Sequence, residues 1–464
     1  MREGVRHVQP EHRLADFCLG LGDADIPAQA RKRAVDAMTD CVGCAVVGAS
    51  TPLASSVLKT IHTAADCEGF LIGSGLRAPA PDAALYNGAA AHALDYDDIS
   101  HPAYSHPSAV LLPALLSCAG MSGKSGAVSG RQAVTAYVIG LEVFGKLGRV
   151  LNLEHYMKGW HATSTFGSIA AAVAAARVLG LSHSQLLSAI GLAASASGGL
   201  RCNFGTMAKP VHAGYAARNG VLAALLAKNG CDASEEALTH KYGFFQTFNA
   251  GSGVRQESFS GWGSPFEILT ETGIGLKLYP SCAATHPAIE AATRHRRRLD
   301  GNISAIHKVR VGMSQFATEP LIYVVPRTPL QAKFSMHFCV AAALTRDEVT
   351  LETFSPAGIA DTATLALIDR IETYVDDRVR DDHEFAAVVT VQSEDGSQTE
   401  ELVRVAPGKP ERWFTRAQLE RKFMDCCAGA SARDRAQQAF ALLQALDSDR
   451  PLSAIGTALA GINP

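Results

Sequence analysis

Apolar residues recur at three- and four-residue intervals through the first half of the chain, a spacing that predicts helices. The run Gln29–Val47 follows it and is stopped by Gly48. Ala78–Leu94, Pro107–Ala119, Gln132–Gly148, Thr163–Leu179, Ser184–Ala194 and His212–Lys228 continue it. Alanine and glycine keep recurring at the apolar positions, and small side chains let helix axes approach closely, so a tight, buried helical assembly is expected. The pattern changes near residues 270–300. Ala305–Met313 alternates as a strand does, and Phe385–Val391 and Leu402–Val405 flank the polar turn Glu394–Gly396 as a hairpin. Helical spacing returns between these strands at Met336–Leu344 and Ile359–Tyr374. After Pro407–Pro410 it resumes at Arg416–Ala428 and Ala432–Leu446. The predicted fold class is mainly α. A large all-helical domain is expected from residues 1–268 and 406–464, and a smaller α+β domain from 269–405.

Composition narrows the options. At 464 residues and 47% hydrophobic content, two well-buried cores are expected. A net charge of -3, without a basic block interleaved with aromatics, argues against a nucleic-acid or anionic-membrane partner. Met1–Pro10 carries no apolar region of the kind a secretory signal needs. Ile169–Leu179 and Ile359–Leu367 are short for membrane spans. The 11 cysteines sit at apolar positions such as Cys18, Cys118 and Cys339, which suits reduced thiols in a cytoplasm. The CxxC pair Cys41 and Cys44 falls inside a helical pattern and reads as packing. No GxGxxG or GxxxxGK[ST] stretch is present, so a nucleotide cofactor is not expected.

Chemistry concentrates in a few places. His92, Asp95, Asp97 and Asp98 precede two His-Pro steps at His101 and His106. Asp95 and Asp98, three residues apart, would share a helix face. Carboxylates this close push each other's pKa values apart unless a positive group is near. The alternative is a helix end dissolving into a wet loop with Asp97 solvated. A divalent metal is a rival for this set, but the spacing matches no standard site, and no metal is expected. His161, beside Trp160 and ahead of a small-residue helix, could act as acid or base at a helix start, or simply cap it. Arg201 and Lys209 lie in a stretch bracketed by glycines and a proline, and Lys277 in KLYPSCAATHP repeats the theme. Arg327 and Lys333 add cations, whereas Arg294–Arg298 reads as a solvated helix C-terminus. Several cations with histidines and an aspartate imply a small polyanionic substrate. Proton removal next to a carboxylate needs a base and positive groups where enolate charge builds up.

The motifs HALDYDD followed by HP, GWHATSTFG, MAKPVHAGYAARNG, KLYPSCAATHPAIEA and AKFSMHF, in this order, resemble the MmgE/PrpD family. Known members include 2-methylcitrate dehydratase, cis-aconitate decarboxylase and iminodisuccinate epimerase. The resemblance implies a large helical domain, an α+β lid with the active site between them, a homodimer, and a small polycarboxylate substrate handled without a cofactor. It carries catalytic roles onto Asp95, His106, His161, Lys209, Lys277 and Tyr323. His101, Arg201, His286 and Arg327 would contact substrate. Where the family has a threonine four residues after the aspartate, this chain has Ile99. That departure, from the dehydratase and decarboxylase patterns alike, raises the epimerase-like reading; a decarboxylase-like activity is kept beside it, with 2-methylcitrate dehydration and a non-catalytic polycarboxylate-binding protein as alternatives.

Overall fold

The computed structural model describes residues 9–121, 127–379, 385–427, 433–459 and Ile462. The predicted helix ends at Ala428 and Ala432, and most of Met1–Pro10, lie outside them. The helical part is organised around α1 (Ala28–Gly48), α2 (Ala80–His92), α3 (Ser108–Ala119), α4 (Gly130–Leu151), α5 (Ala162–Leu179), α6 (His183–Ser195) and α7 (Ala208–Lys228). Side-chain caps set several of the starts. Ser129 with Gln132, and Ser182 with Gln185, form reciprocal capping boxes at α4 and α6.

Helix α5 is the centre of the core. It is apolar and long enough to cross a membrane, but 89% of it is buried inside the protein, so its apolarity belongs to the core. Each buried valine or isoleucine on it contributes roughly 1.5–3 kcal/mol of burial free energy. The small residues act as expected. A Cβ on Gly220 of α7 would come within 2.4 Å of the Ala171 side chain on α5, so these helices meet nearly backbone to backbone.

The second core is built on a four-stranded sheet of β1 (Ile306–Met313), β2 (Ile371–Val375), β3 (Ala387–Ser393) and β4 (Gln398–Val403), in the order β2-β1-β3-β4. Strands β1 and β2 run parallel, with Val309 opposite Ile371, and the other pairs are antiparallel. Helices α8 (His286–Arg298) and α9 (Met336–Thr345) pack here through Ile289, Ala292, Phe338 and Leu344 against Val309, Val311 and Val389. Beyond the sheet, α10 (Arg416–Cys426) and α11 (Arg433–Gln444) return to the first core, which Phe414, Leu419, Phe423 and Phe440 join.

Several expectations are corrected. The predicted helix Ile359–Tyr374 breaks into Pro356–Ile359 and Thr362–Ile368, and Ile371–Val375 pairs as β2. The β-branched and aromatic run IETYV gains ladder hydrogen bonds beside β1 that local spacing does not reveal. Helix α7 starts at Ala208, earlier than predicted, so Lys209 and Pro210 sit in its first turn, where a missing N–H costs nothing. Helix α2 stops at His92, so Asp95 and Asp98 share no helix face. The loop is not wet either, because Asp97 is fully buried. The cations after Arg294 are paired rather than simply solvated: Arg294 and Arg298 with Glu401, and Arg296 with Asp347.

Candidate active site

The turn after α2 carries Asp95 in the left-handed region, φ 52°, a conformation aspartate tolerates better than most residues. It projects the carboxylate into a small cavity between the helical core and the sheet-bearing part. Asp95, His106, His161, Lys209 and Lys277 all line this cavity. The rest of the wall is largely apolar, including Ile99, Tyr104, Tyr156, Phe204, Phe316, Phe334 and Phe385.

Asp95 is the electrostatic hub. Its Oδ1 lies 2.5 Å from Lys209 Nζ and its Oδ2 3.2 Å from Lys277 Nζ. Burial alone would raise its pKa, but Lys209 and Lys277 hold the carboxyl well below the usual carboxylate range. Lys209 also sits 5.2 Å above the rings of Phe204 and Phe334. His106 Nδ1 is 2.8 Å from the Asp98 carbonyl, which can only accept, so Nδ1 carries the proton. In the neutral ring Nε2 then holds a free lone pair, 3.7 Å from Asp95 Oδ1. Burial, reinforced by His92, Lys277 and Lys209, keeps His106 neutral, its pKa well below the ordinary histidine value.

His161 stands at the start of α5 with no side-chain hydrogen bond to that helix, and its backbone N–H donates to Gly199 O at 3.0 Å. Its Nδ1 meets His212 Nδ1 at 3.1 Å, so one of the two rings donates and the other accepts. Burial, then Lys209 and His212, push the pKa of His161 well down. His212 is lowered to about 4, first by burial.

The other predicted site residues lie outside the cavity wall. Arg201 donates to Tyr156 O at 2.7 Å and stacks 3.7 Å over the Tyr156 ring, so it supports the wall from behind. His286 is buried with Nε2 3.2 Å from Ser281 O. His101 packs against Tyr104 and Phe385. Tyr323 is partly buried and its hydroxyl lies over Gly205, while Arg327 is exposed on the surface. Sequence spacing could not tell these five from the cavity residues, because what separates them is side-chain direction.

Residues that the sequence named without a role, or did not name, also take part. His92 Nδ1 binds Asp97 at 2.9 Å and its ring lies 4.2 Å from that of His106. His212 backs His161. Lys333 donates to Leu94 O and Pro280 O, and burial pushes its pKa down to about 7. His92 opens the HALDYDD motif and His212 follows Lys209 in MAKPVHAG, so both were within reach of a motif reading. Lys422 on α10, which donates to Tyr96 O and Lys277 O at 2.8 Å, had no such signal.

These side chains include one set with the donor atoms a metal ion would need. His92, Asp95, Asp97 and His106 offer ligand atoms within 4.8 Å of one another. The fit is poor. Both Asp95 oxygens already face ammonium groups, His106 Nδ1 is committed to a carbonyl, and His92 Nδ1 to Asp97. A divalent ion would have to displace these contacts beside two positive charges.

A buried carboxylate between two lysines, faced by neutral histidines in a cavity between a helical core and a sheet-bearing part, defines a site for handling small anions. Residues 12–257 match the MmgE/PrpD N-terminal domain and residues 279–448 the MmgE/PrpD C-terminal domain. The chain belongs to the MmgE/PrpD family. It is 30% identical over 420 residues to the cis-aconitate decarboxylase-like protein oryM of Aspergillus oryzae, covering 85% of this chain and 86% of that one. It is 28% identical over 362 residues to cis-aconitate decarboxylase of Aspergillus terreus, with 74% and 73% covered. The Homo sapiens cis-aconitate decarboxylase shares 26% over 398 residues, with 84% and 81% covered.

Proposed function

We propose that this protein is a cofactor-independent enzyme that moves a proton at the carbon α to a carboxylate of a small di- or tricarboxylic acid, as a cis-aconitate decarboxylase-like lyase. The observation that carries the reading is His106. Its tautomer is set by the Asp98 carbonyl, so a neutral Nε2 faces the cavity beside Asp95 and two ammonium groups. A neutral imidazole with a free lone pair is the form a general base needs.

In this reading substrate carboxylates meet Lys209 and Lys277, whose charge Asp95 only half cancels. The bond to the departing carboxylate breaks and CO2 leaves. The electron pair stays as enolate-like charge near the ammonium groups, and a proton is then delivered to carbon. One proton is consumed for each CO2 released; it comes from solvent through His161 and its partner His212, while neutral His106 exchanges a proton at the same carbon in the reverse sense. The relatives named cis-aconitate decarboxylase support the lyase assignment. Family membership is likewise the basis on which we infer a homodimer, and the free cysteines are the basis for a cytoplasmic location.

A second reading, an iminodisuccinate epimerase-like isomerase, is favoured by Ile99. It lines the cavity and brings no hydroxyl there, and two neutral histidines could serve opposite faces of one carbon. NMR in D2O with cis-aconitate, iminodisuccinate and 2-methylcitrate separates these possibilities. Release of CO2 from cis-aconitate supports the lyase, and deuterium uptake at iminodisuccinate without net product supports the epimerase. A new alkene from 2-methylcitrate would mean dehydration. Binding of all three without turnover would leave a non-catalytic polycarboxylate-binding protein and overturn the proposal.

A further inference from the structure

Three consecutive carbonyls in the loop that carries Asp95 each accept a hydrogen bond from a different lysine. Leu94 O takes Lys333 Nζ at 2.7 Å, Asp95 O takes Lys277 Nζ at 2.9 Å, and Tyr96 O takes Lys422 Nζ at 2.8 Å. The outer two also reach the segment that holds Lys277. Lys333 donates to Pro280 O at 2.8 Å, and Lys422 donates to Lys277 O at 2.8 Å. Lys333 comes from the turn before α9 and Lys422 from α10, so regions far apart in sequence converge on one loop.

Neither Lys333 nor Lys422 lines the cavity, and both are buried. Burying an ammonium group is expensive, and carbonyls compensate it less well than a carboxylate does. Lys422 has such a partner in Asp40, at 2.7 Å. Among the described residues Lys333 has none within ion-pair reach; its other neighbour is the Phe354 ring at 4.9 Å. Stability alone would be served as well by an apolar side chain in that space. What the ammonium groups supply is direction. They hold the carbonyls of residues 94 and 96, on either side of the left-handed Asp95, and tie the Asp95 loop to the Lys277 segment. The Asp95–Lys277 contact at 3.2 Å depends on that spacing.

We propose that Lys333 and Lys422 are positioning residues, which clamp the Asp95 loop against the Lys277 segment and so set the geometry of the anion site. The kinetic part rests on the function proposed above; the structural part does not.

The test uses Lys333→Met and Lys422→Met, which keep the volume and remove the donors, with Lys333→Gln and Lys422→Gln, which keep a donor. Turnover is followed on whichever acid the wild type converts. The expected result is kcat reduced at least tenfold in the Met variants, KM within threefold, and partial recovery in the Gln variants. Folded Met variants with kcat within twofold of wild type would overturn the proposal. Hydrogen–deuterium exchange gives a reading independent of any activity. Amides of residues 94–99 should exchange slowly in the wild type and at least tenfold faster in Lys422→Met, with α5 unchanged. Exchange of that segment in the wild type at the rate of exposed loops would overturn the proposal even if no variant folds. A wild type that converts none of the acids, with the exchange result as expected, would refute the proposed reaction and leave the clamp standing.

Discussion

Asp95→Asn tests the electrostatic hub most directly. Asparagine keeps the shape and, like aspartate, tolerates the left-handed conformation at φ 52°, so the substitution removes charge without adding backbone strain. At an effective dielectric of about 20, the Coulomb attraction to Lys209 at 2.5 Å and to Lys277 at 3.2 Å is about 7 and about 5 kcal/mol. Most of that offsets the desolvation of the three groups, and breaking a buried pair by removing one partner costs about 3–5 kcal/mol net. The amide oxygen can still accept from one ammonium group, and Lys277 keeps its bond to the residue 95 carbonyl, so a loss near the lower end, about 3 kcal/mol, is expected. Urea unfolding followed by tryptophan fluorescence measures it. Adding Lys209→Met to Asp95→Asn should recover part of the loss, because it removes a buried cation that has lost its partner. A pH series supplies a sign check. The folded-state pKa of Asp95 is depressed, so its contribution is present above the ordinary carboxylate pKa and fades as pH falls through the folded value. The variant should lack that acid-side loss. A destabilisation under about 1 kcal/mol, or no recovery in the double variant, would refute the view that Asp95 neutralises these lysines.

His106→Gln should lower kcat by about 10²–10⁴-fold with little change in KM, and His161→Ala should also lose orders of magnitude, by stopped-flow or NMR assay. Arg296→Ala, which breaks only a surface pair with Asp347, should be near neutral in the same assay. Because burial holds His106 and His161 neutral to well below their ordinary pKa, kcat/KM should stay level as pH falls through 6.5 and drop only below it. A base limb at or above pH 7 would contradict this assignment. The same shifts mean that the unfolded chain binds more protons below pH 6.5, so stability should decline there as well. Gly220→Ala would put a methyl group 2.4 Å from the Ala171 side chain and should destabilise the core by about 1–3 kcal/mol, read from the urea midpoint.

Much of this protein could be read from its residues in order. The helices follow from apolar spacing, the close packing from the alanines and glycines on α5 and α7, and the hairpin from alternation around a polar turn. Five of the named site residues, Asp95, His106, His161, Lys209 and Lys277, do line one cavity. Asp95 and His106 flank α2 and α3, and His161 and Lys209 stand at the starts of α5 and α7, whereas Lys277 lies in irregular chain; the ordered motifs, not element spacing, pointed to all five.

The rest depends on contacts between segments distant in the chain. Strand β2 exists because β1 is there to pair with it; alone, Ile371–Val375 continues a helical pattern. Arg327 and Lys209 look alike as cations amid apolar sequence, yet one points to solvent and the other at Asp95, and only the packing of α7 against the core sets that direction. The electrostatic state of the site has the same origin. Whether Asp95 is ionised and His106 neutral depends on burial and on charges contributed from residues 209 and 277, more than a hundred positions further along the chain. Spacing along the sequence carries the period of a helix or strand, because that period is local. It carries no record of which buried groups end up within a few ångströms of one another, and at this site that proximity sets the charges.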